Sequence, residues 1–228
     1  MEHEAFIQRL YPADPFANVR DASEAHRAEH GAKLKGGEQE CGVYPSNELK
    51  VRLIDTLVRA AGSKRILEIG GSLGYSALWL ASAAGPYGRV ETIDRFPEHI
   101  GEIDTYARAH NLETRITAIA GEGSDVLASL PGPYDLIHDD GWFAQQPPYY
   151  DRLVELLRPG GLLVMSNWFL LEQSFRESPD LDWSQFAGPG WRSEVRAYAE
   201  VLAGDPRLEV SFVMGPAYVA LASRRPSH

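Results

Sequence analysis

The chain has a single cysteine, Cys41, in 228 residues. No disulfide can form within it, and a lone thiol, read here as structural, fits a reducing compartment. It has no apolar run near the ~20 residues that a membrane-spanning helix needs. Residues 1–6 lack a basic segment leading into an apolar stretch, so no secretory signal is expected. These absences point to a cytoplasmic protein with no membrane partner. Positive charge is scarce as well: 22 Lys and Arg stand against 32 Asp and Glu, a net charge of −10. A phosphate backbone calls for a basic face, so nucleic acid is not an expected partner. Internal repeats and low-complexity tracts are missing too.

What is present suffices for one sizeable α/β core and is short for two. From Arg65 onward, apolar runs of strand length alternate with helical patterns. Strands are expected over 66–69, 90–93, 116–120, 134–140 and 162–165, and helices from 74, from 97, over 125–130 and over 149–157. Such alternation predicts a parallel sheet with helices on both faces and a ligand site beyond the carboxyl ends of the strands. The pattern breaks at 208–214 and 218–222, two strands joined too tightly for a helical crossover, which must pair antiparallel. Ahead of β-α alternation, Ser46 reads as the N-cap of an amphipathic helix whose Leu49, Leu53, Ile54, Leu57, Val58 and Ala61 form the apolar face, closed by Gly62. Residues 1–42 are polar. Their most helical part, 21–30, is interrupted by Gly31, Gly36 and Gly37, and His26 and His30 are taken as surface residues. An N-terminal arm or lid over 1–42 and a domain over 43–228 are therefore expected.

The chain is organised around residues 65–81, where a buried strand runs into Gly70, Gly71, Ser72 and Gly74 and then into an apolar helix. Glycines let a ligand approach the backbone, and the free N–H groups of a helix start face an anionic or polar group. The order Glu68-x-Gly70-x-x-x-Gly74 is not the Gly-x-Gly-x-x-Gly of a dinucleotide fingerprint. With no hydride-transfer residue set either, a nicotinamide oxidoreductase is disfavoured. The acidic-x-Gly-x-x-x-Gly form resembles motif I of the class I methyltransferases that use S-adenosylmethionine. The longer string LEIGGSLGYSALWLA resembles the catechol and caffeoyl-CoA type of O-methyltransferase. The resemblance extends over about 43–223 and includes the run 157–164, Leu-Arg-Pro-Gly-Gly-Leu-Leu-Val.

What the resemblance implies is a Rossmann-like fold with a mostly parallel seven-stranded sheet and a C-terminal antiparallel hairpin. It implies S-adenosylmethionine as cofactor, a small-molecule substrate and a homodimer. Glu68, Gly70, Ser72, Gly74 and Ser76 fall in the cofactor turn, and Asp94 ends the second strand, where the family keeps an acid for the ribose hydroxyls. A carboxylate can accept from two vicinal O–H groups; the plainer reading of Asp94 is a cap for the helix at Pro97. Gly123 and Ser124 match the adenine edge. Asp140-Gly-Trp142 matches an Asp-x-Trp in which the Asp lies between cofactor ammonium and metal and the Trp lies beside the adenine.

Two departures change the mechanism that the resemblance can carry. A catalytic Lys of the family is replaced by Phe143, and an Asp-Asn metal pair is replaced by Ser166-Asn167. Magnesium is held through carboxylates, so Asp140 and Asn167 alone make a weak site, and transfer without a metal is expected. Asp139 or Glu172 are the residues that could restore a ligand. Expected catalytic residues are then Asp140, Asn167 and, as replacement base, His138, which alternatively packs under the sheet end. Trp142, Phe143, Trp168 and Phe169 are the expected pocket for a planar or apolar acceptor, with residues 170–190 as a variable wall. The competing functional class is a methyltransferase-like protein that binds cofactor or a partner with little turnover.

Overall fold

The structure is a computed structural model that describes residues 6–7, 9–34, 43–141, 148–176, 183–184 and 188–226. In chain order the elements are α1 (Ala17–Leu34), α2 (Glu48–Ala61), β1 (Arg65–Ile69), α3 (Tyr75–Ala84), β2 (Arg89–Asp94), α4 (Pro97–Ala109), β3 (Ile116–Ala120), α5 (Gly123–Ser129), β4 (Tyr134–Asp139), α6 (Tyr149–Leu156), β5 (Leu157–Met165), α7 (Phe169–Ser174), α8 (Trp191–Gly204), β6 (Leu208–Val213) and β7 (Val219–Arg224). The strand order is β3-β2-β1-β4-β5-β7-β6. Pairs β2–β3, β1–β4 and β4–β5 are parallel, whereas β7 runs antiparallel to both β5 and β6. The expected α/β sheet with its closing hairpin is thus the one observed. The chain divides into two compact units, residues 1–64 with 70–122, and residues 65–69 with 123–228.

In the first unit, α3 is apolar on every side and almost wholly buried, as a helix without a polar face must be. Helix α2 packs on it. The N-cap of α2 is Asn47, whose side chain accepts the Lys50 N–H at 2.8 Å, and not the expected Ser46, which is buried one residue earlier. Gly62 closes α2 at φ 64°, a left-handed cap in which Ser63 N–H reaches Val58 O. The buried stripe is Val51, Ile54 and Val58; Leu49, Leu53 and Leu57 flank it half-buried and Ala61 is exposed. Helix α1 also differs from expectation. It runs through Gly31 to Leu34, since one mid-helix glycine costs only about 1 kcal/mol.

The segment ahead of α1 is bound into this unit. Phe16 packs edge-on against Trp79 at 5.6 Å and His110 at 5.0 Å. Asp14 accepts from Tyr75 Oη at 2.8 Å and from Arg20 at 2.7 Å, while Arg52 donates to Pro12 O at 2.6 Å. Burial and Asp14 push the Tyr75 phenol well above its ordinary range, so it remains a donor.

In the second unit, β1 is buried on both faces and pairs Glu68 with His138 of β4, which in turn pairs with Val164 of β5. Helix α8, absent from the expected element list, packs on α7 and β6. It carries Trp191 and Val195 into a cluster with Leu170, against which Phe169, Leu171 and Trp183 pack.

The tightest backbone approach near the glycine turn is at Gly71, where a Cβ would lie 2.4 Å from Thr92 Oγ1 and 3.2 Å from Ile103. Gly71→Ala is therefore expected to destabilise the protein by about 1–3 kcal/mol, read as a lower urea midpoint.

Candidate functional site

The first unit holds the glycine turn. Gly70 and Gly71 both donate N–H groups to Ile93 O, at 2.9 and 3.0 Å, which ties the turn to the end of β2. Ser72 then adopts φ 49°, a left-handed conformation uncommon outside glycine, and its N–H donates to Asp94 Oδ2 at 2.7 Å. Gly74, at φ 94°, caps the start of α3, and Ser76 lies buried in its first turn. The Ser72 hydroxyl is buried with no hydrogen-bond partner among the described residues. A buried hydroxyl without a partner costs free energy, so the turn is suited to a ligand that brings a polar group to it.

Asp94 is itself nearly buried. Its Oδ1 accepts from Phe96 N–H at 2.9 Å and from His99 Nδ1 at 2.9 Å. Asp94 thus ties down the residue before α4, but it is not the cap: the N-cap is Phe96 and no side chain caps the helix. His99 was not among the expected site residues. A histidine at the third position of a helix carries no sequence signal that it will turn back onto the preceding strand end.

The second unit gathers the remaining polar candidates. His138 is fully buried between Glu68 Oε1, 3.1 Å from Nδ1, and Ser166 Oγ, 3.0 Å from Nε2. Both ring nitrogens are engaged. His138, expected as the replacement base, lies against Glu68 and Ser166 in the buried sheet. Asn167, at φ 68°, donates its amide to Asp140 Oδ1 at 3.2 Å and to Gly141 O at 3.4 Å.

These residues do not fit a magnesium ion. The Ser166 oxygen is bound to a histidine, and Asn167 turns its amide nitrogen toward the carboxylate that would share the ion. The two possible substitutes are also committed. Asp139 Oδ1 accepts from Tyr149 Oη and Gly141 N–H, both at 3.0 Å, and Glu172 pairs with Arg176. Among the described residues no three His, Cys, Asp or Glu side chains gather as a ligand group.

Gly123 opens α5, and a Cβ there would stand 3.1 Å from Ile69 and 3.6 Å from the Tyr149 ring. Ser124 beside it is exposed. Trp168, expected in the acceptor pocket, is a core residue instead: it is 0% exposed, stacked on Tyr198 at 5.8 Å and edge-on to Phe212 at 4.8 Å. Phe169 is half-buried, 5.4 Å from Trp183 and 6.3 Å from Tyr218. Trp142 and Phe143 lie outside the described residues, as does much of 170–190.

The fold defines the class. An O-methyltransferase from Bacillus cereus in complex with SAH shares it at TM-score 0.74 and 20% identity, over 98% of this chain and 96% of that one. The O-methyltransferase TomG from Streptomyces achromogenes, in complex with SAM, shares it at TM-score 0.75 and 23% identity, over 97% and 95%. Residues 43–224 match the O-methyltransferase family, and the chain belongs to it. A catechol O-methyltransferase from Mycobacterium tuberculosis is 32% identical over 127 residues, 55% of this chain and 58% of that protein. The chain thus spans less than two thirds of the length of that curated relative.

Burial raises the Asp139 carboxyl from 3.8 to about 6, against the opposing pull of Gly141 N–H and Tyr149 Oη. The unfolded chain releases this proton near pH 4 and the folded chain near pH 6. Folding stability therefore falls as pH rises through that window and is flat above it, by about 3 kcal/mol in total. Asp139→Asn keeps an acceptor for Tyr149 and removes the charge. The difference in urea stability between variant and wild type is expected to grow in the variant's favour from pH 4 to pH 7.

Proposed function

We propose that the protein transfers a methyl group from S-adenosylmethionine to a hydroxyl of a small aromatic or apolar molecule, without a metal. The observation that carries this is the glycine turn of an O-methyltransferase family member, with its buried, unpartnered Ser72 hydroxyl beside Asp94. Asp94 receives the ribose. Gly70, Ser72, Gly74 and Ser76 receive the amino-acid end, Gly123, Ser124 and Trp142 the adenine, and Asp140 the ammonium. Glu68 holds His138 from β1. Phe143 and Phe169 are assigned to the acceptor with Trp142, while Trp168 belongs to the core.

When bound, the cofactor supplies a methyl group on a sulfonium, already a good leaving group. The protein's task is chiefly alignment, which can contribute about 7–11 kcal/mol. A general base typically adds 10²–10⁴-fold, roughly 3–5 kcal/mol. Replacing the family's lysine by Phe143 therefore slows the reaction or selects a more acidic acceptor such as a phenol, without removing the larger contribution. Asn167 holds Asp140 in place for the ammonium.

Calorimetry with S-adenosylhomocysteine is expected to give micromolar binding, weakened by about 1–3 kcal/mol in Asp94→Ala. Turnover with a panel of phenols is expected to persist in excess chelator. No cofactor binding by the wild type would end this reading. Binding without turnover would favour a cofactor-binding protein, and activity silenced by chelator and restored by magnesium would overturn the metal-free mechanism.

The resemblance and the lone cysteine further support a homodimer in the cytoplasm. Light scattering at micromolar concentration is expected to exceed the 25.3 kDa of one chain. A monomer mass would contradict it.

A further inference from the structure

We propose that Tyr218, in the turn between β6 and β7, is a wall of the acceptor site and selects aromatic alcohols, the phenols, over saturated ones. This assignment rests on the methyl-transfer reading above and narrows its substrate class. Among the described residues, Ser72, Asn111, Asn167 and Tyr218 are the non-glycine positions with a left-handed backbone. Ser72 and Asn167 belong to the polar groups already described. Asn111 follows the C-cap of α4, a position where asparagine is common. Tyr218, at φ 47°, is a bulky residue in a conformation that bulky residues avoid. Strain of this kind persists only where the surroundings hold it, and it gathers at ligand sites.

Tyr218 is held at its backbone and at its ring. Its carbonyl accepts Trp168 N–H at 3.1 Å, which fastens the turn to the residue after Asn167. Its phenol end lies over Gly215, where a Cβ would stand 2.9 Å from both Cζ and Oη. Asn167 donates to Asp140, the residue assigned to the cofactor ammonium. A methyl acceptor has to reach that end of the cofactor, so its body falls beside the end of β5, which Tyr218 flanks. There the Phe169 ring stands edge-on to Tyr218, at 79°, and to Trp183, at 65°. All three rings are half-buried. Phe169 and Trp183 are anchored on the buried cluster around Leu170, and Tyr218 on Gly215. A flat ring joins such a group edge-on or offset and gains about 3–10-fold in affinity beyond its burial, through the ring quadrupoles. A saturated ring of the same size gains the burial alone.

Calorimetric titration of 2-naphthol and decahydro-2-naphthol into protein saturated with S-adenosylhomocysteine tests this. The wild type is expected to bind 2-naphthol about 10-fold more tightly than its saturated counterpart. Tyr218→Gly suits the left-handed backbone and removes the ring, and it is expected to cut that preference about 3–10-fold. Tyr218→Phe keeps the ring and is expected to stay within about 2-fold of the wild type. Gly215→Ala, whose Cβ pushes the ring aside, is expected to lose the preference as Tyr218→Gly does, and to add nothing in the Tyr218→Gly background. A residue that merely packs the turn would change urea stability and leave the ratio of the two alcohols unmoved. No binding of either alcohol by the wild type, equal binding of both, an unchanged preference in Tyr218→Gly, or a Tyr218→Phe that behaves as Tyr218→Gly would each overturn the assignment. If Tyr218→Gly does not fold, Gly215→Ala carries the test, and a wild-type preference in that variant overturns it. A wild type that binds no cofactor at all instead removes the methyltransferase reading itself.

Discussion

The carbonyl of Ile93 accepts the N–H groups of Gly70 and Gly71 at once, and the first unit is arranged by that shared bond. It ties Gly70 and Gly71 to the end of β2, and Ser72 after them adopts a left-handed conformation. Ser72 N–H then lands on Asp94, and Asp94 in turn gathers Phe96 and His99. One acceptor thus sets a turn, a helix start and the orientation of a carboxylate. Gly71 has no space for a side chain because Thr92 stands where its Cβ would be.

The second unit solves a different problem, which is to bury polar groups inside a sheet. Glu68 and His138 come from the neighbouring strands β1 and β4 and Ser166 from the residue just after β5, and His138 has hydrogen-bond partners on both sides. A buried polar group is costly only when it lacks partners. Ser166 is matched by a histidine that holds it. Asn167 and Asp140 likewise satisfy each other.

Much of the architecture was legible before any coordinates. Apolar runs of strand length between helical patterns gave β1 to β4 and the hairpin of β6 and β7 to within two residues, because strand and helix periods are local properties, whereas β5 begins at Leu157, five residues before the expected start. Gly62 and Gly74 were legible for the same reason, since each serves a conformation that its own backbone demands. Local reading failed where a neighbour decides. Ser46 and Asn47 are both good caps, and only the path of the chain selects Asn47. Gly31 reads as a break, yet α1 carries it within the helix. Helix α8 was missed although Trp191, Val195, Tyr198 and Leu202 fall at helical spacing, i, i+4, i+7 and i+11.

The sequence by itself determined the order of elements, the glycine turn and the acid that follows β2, since each depends on residues adjacent along the chain. Tertiary structure alone decided which polar side chains meet. His99 on Asp94, His138 between Glu68 and Ser166, and Tyr149 on Asp139 join residues 5, 70, 28 and 10 positions apart. It also decided that Trp168 fills the core. Hydrogen bonds act over about 3 Å, and whether two groups come that close depends on strand register and helix packing, which no local pattern encodes.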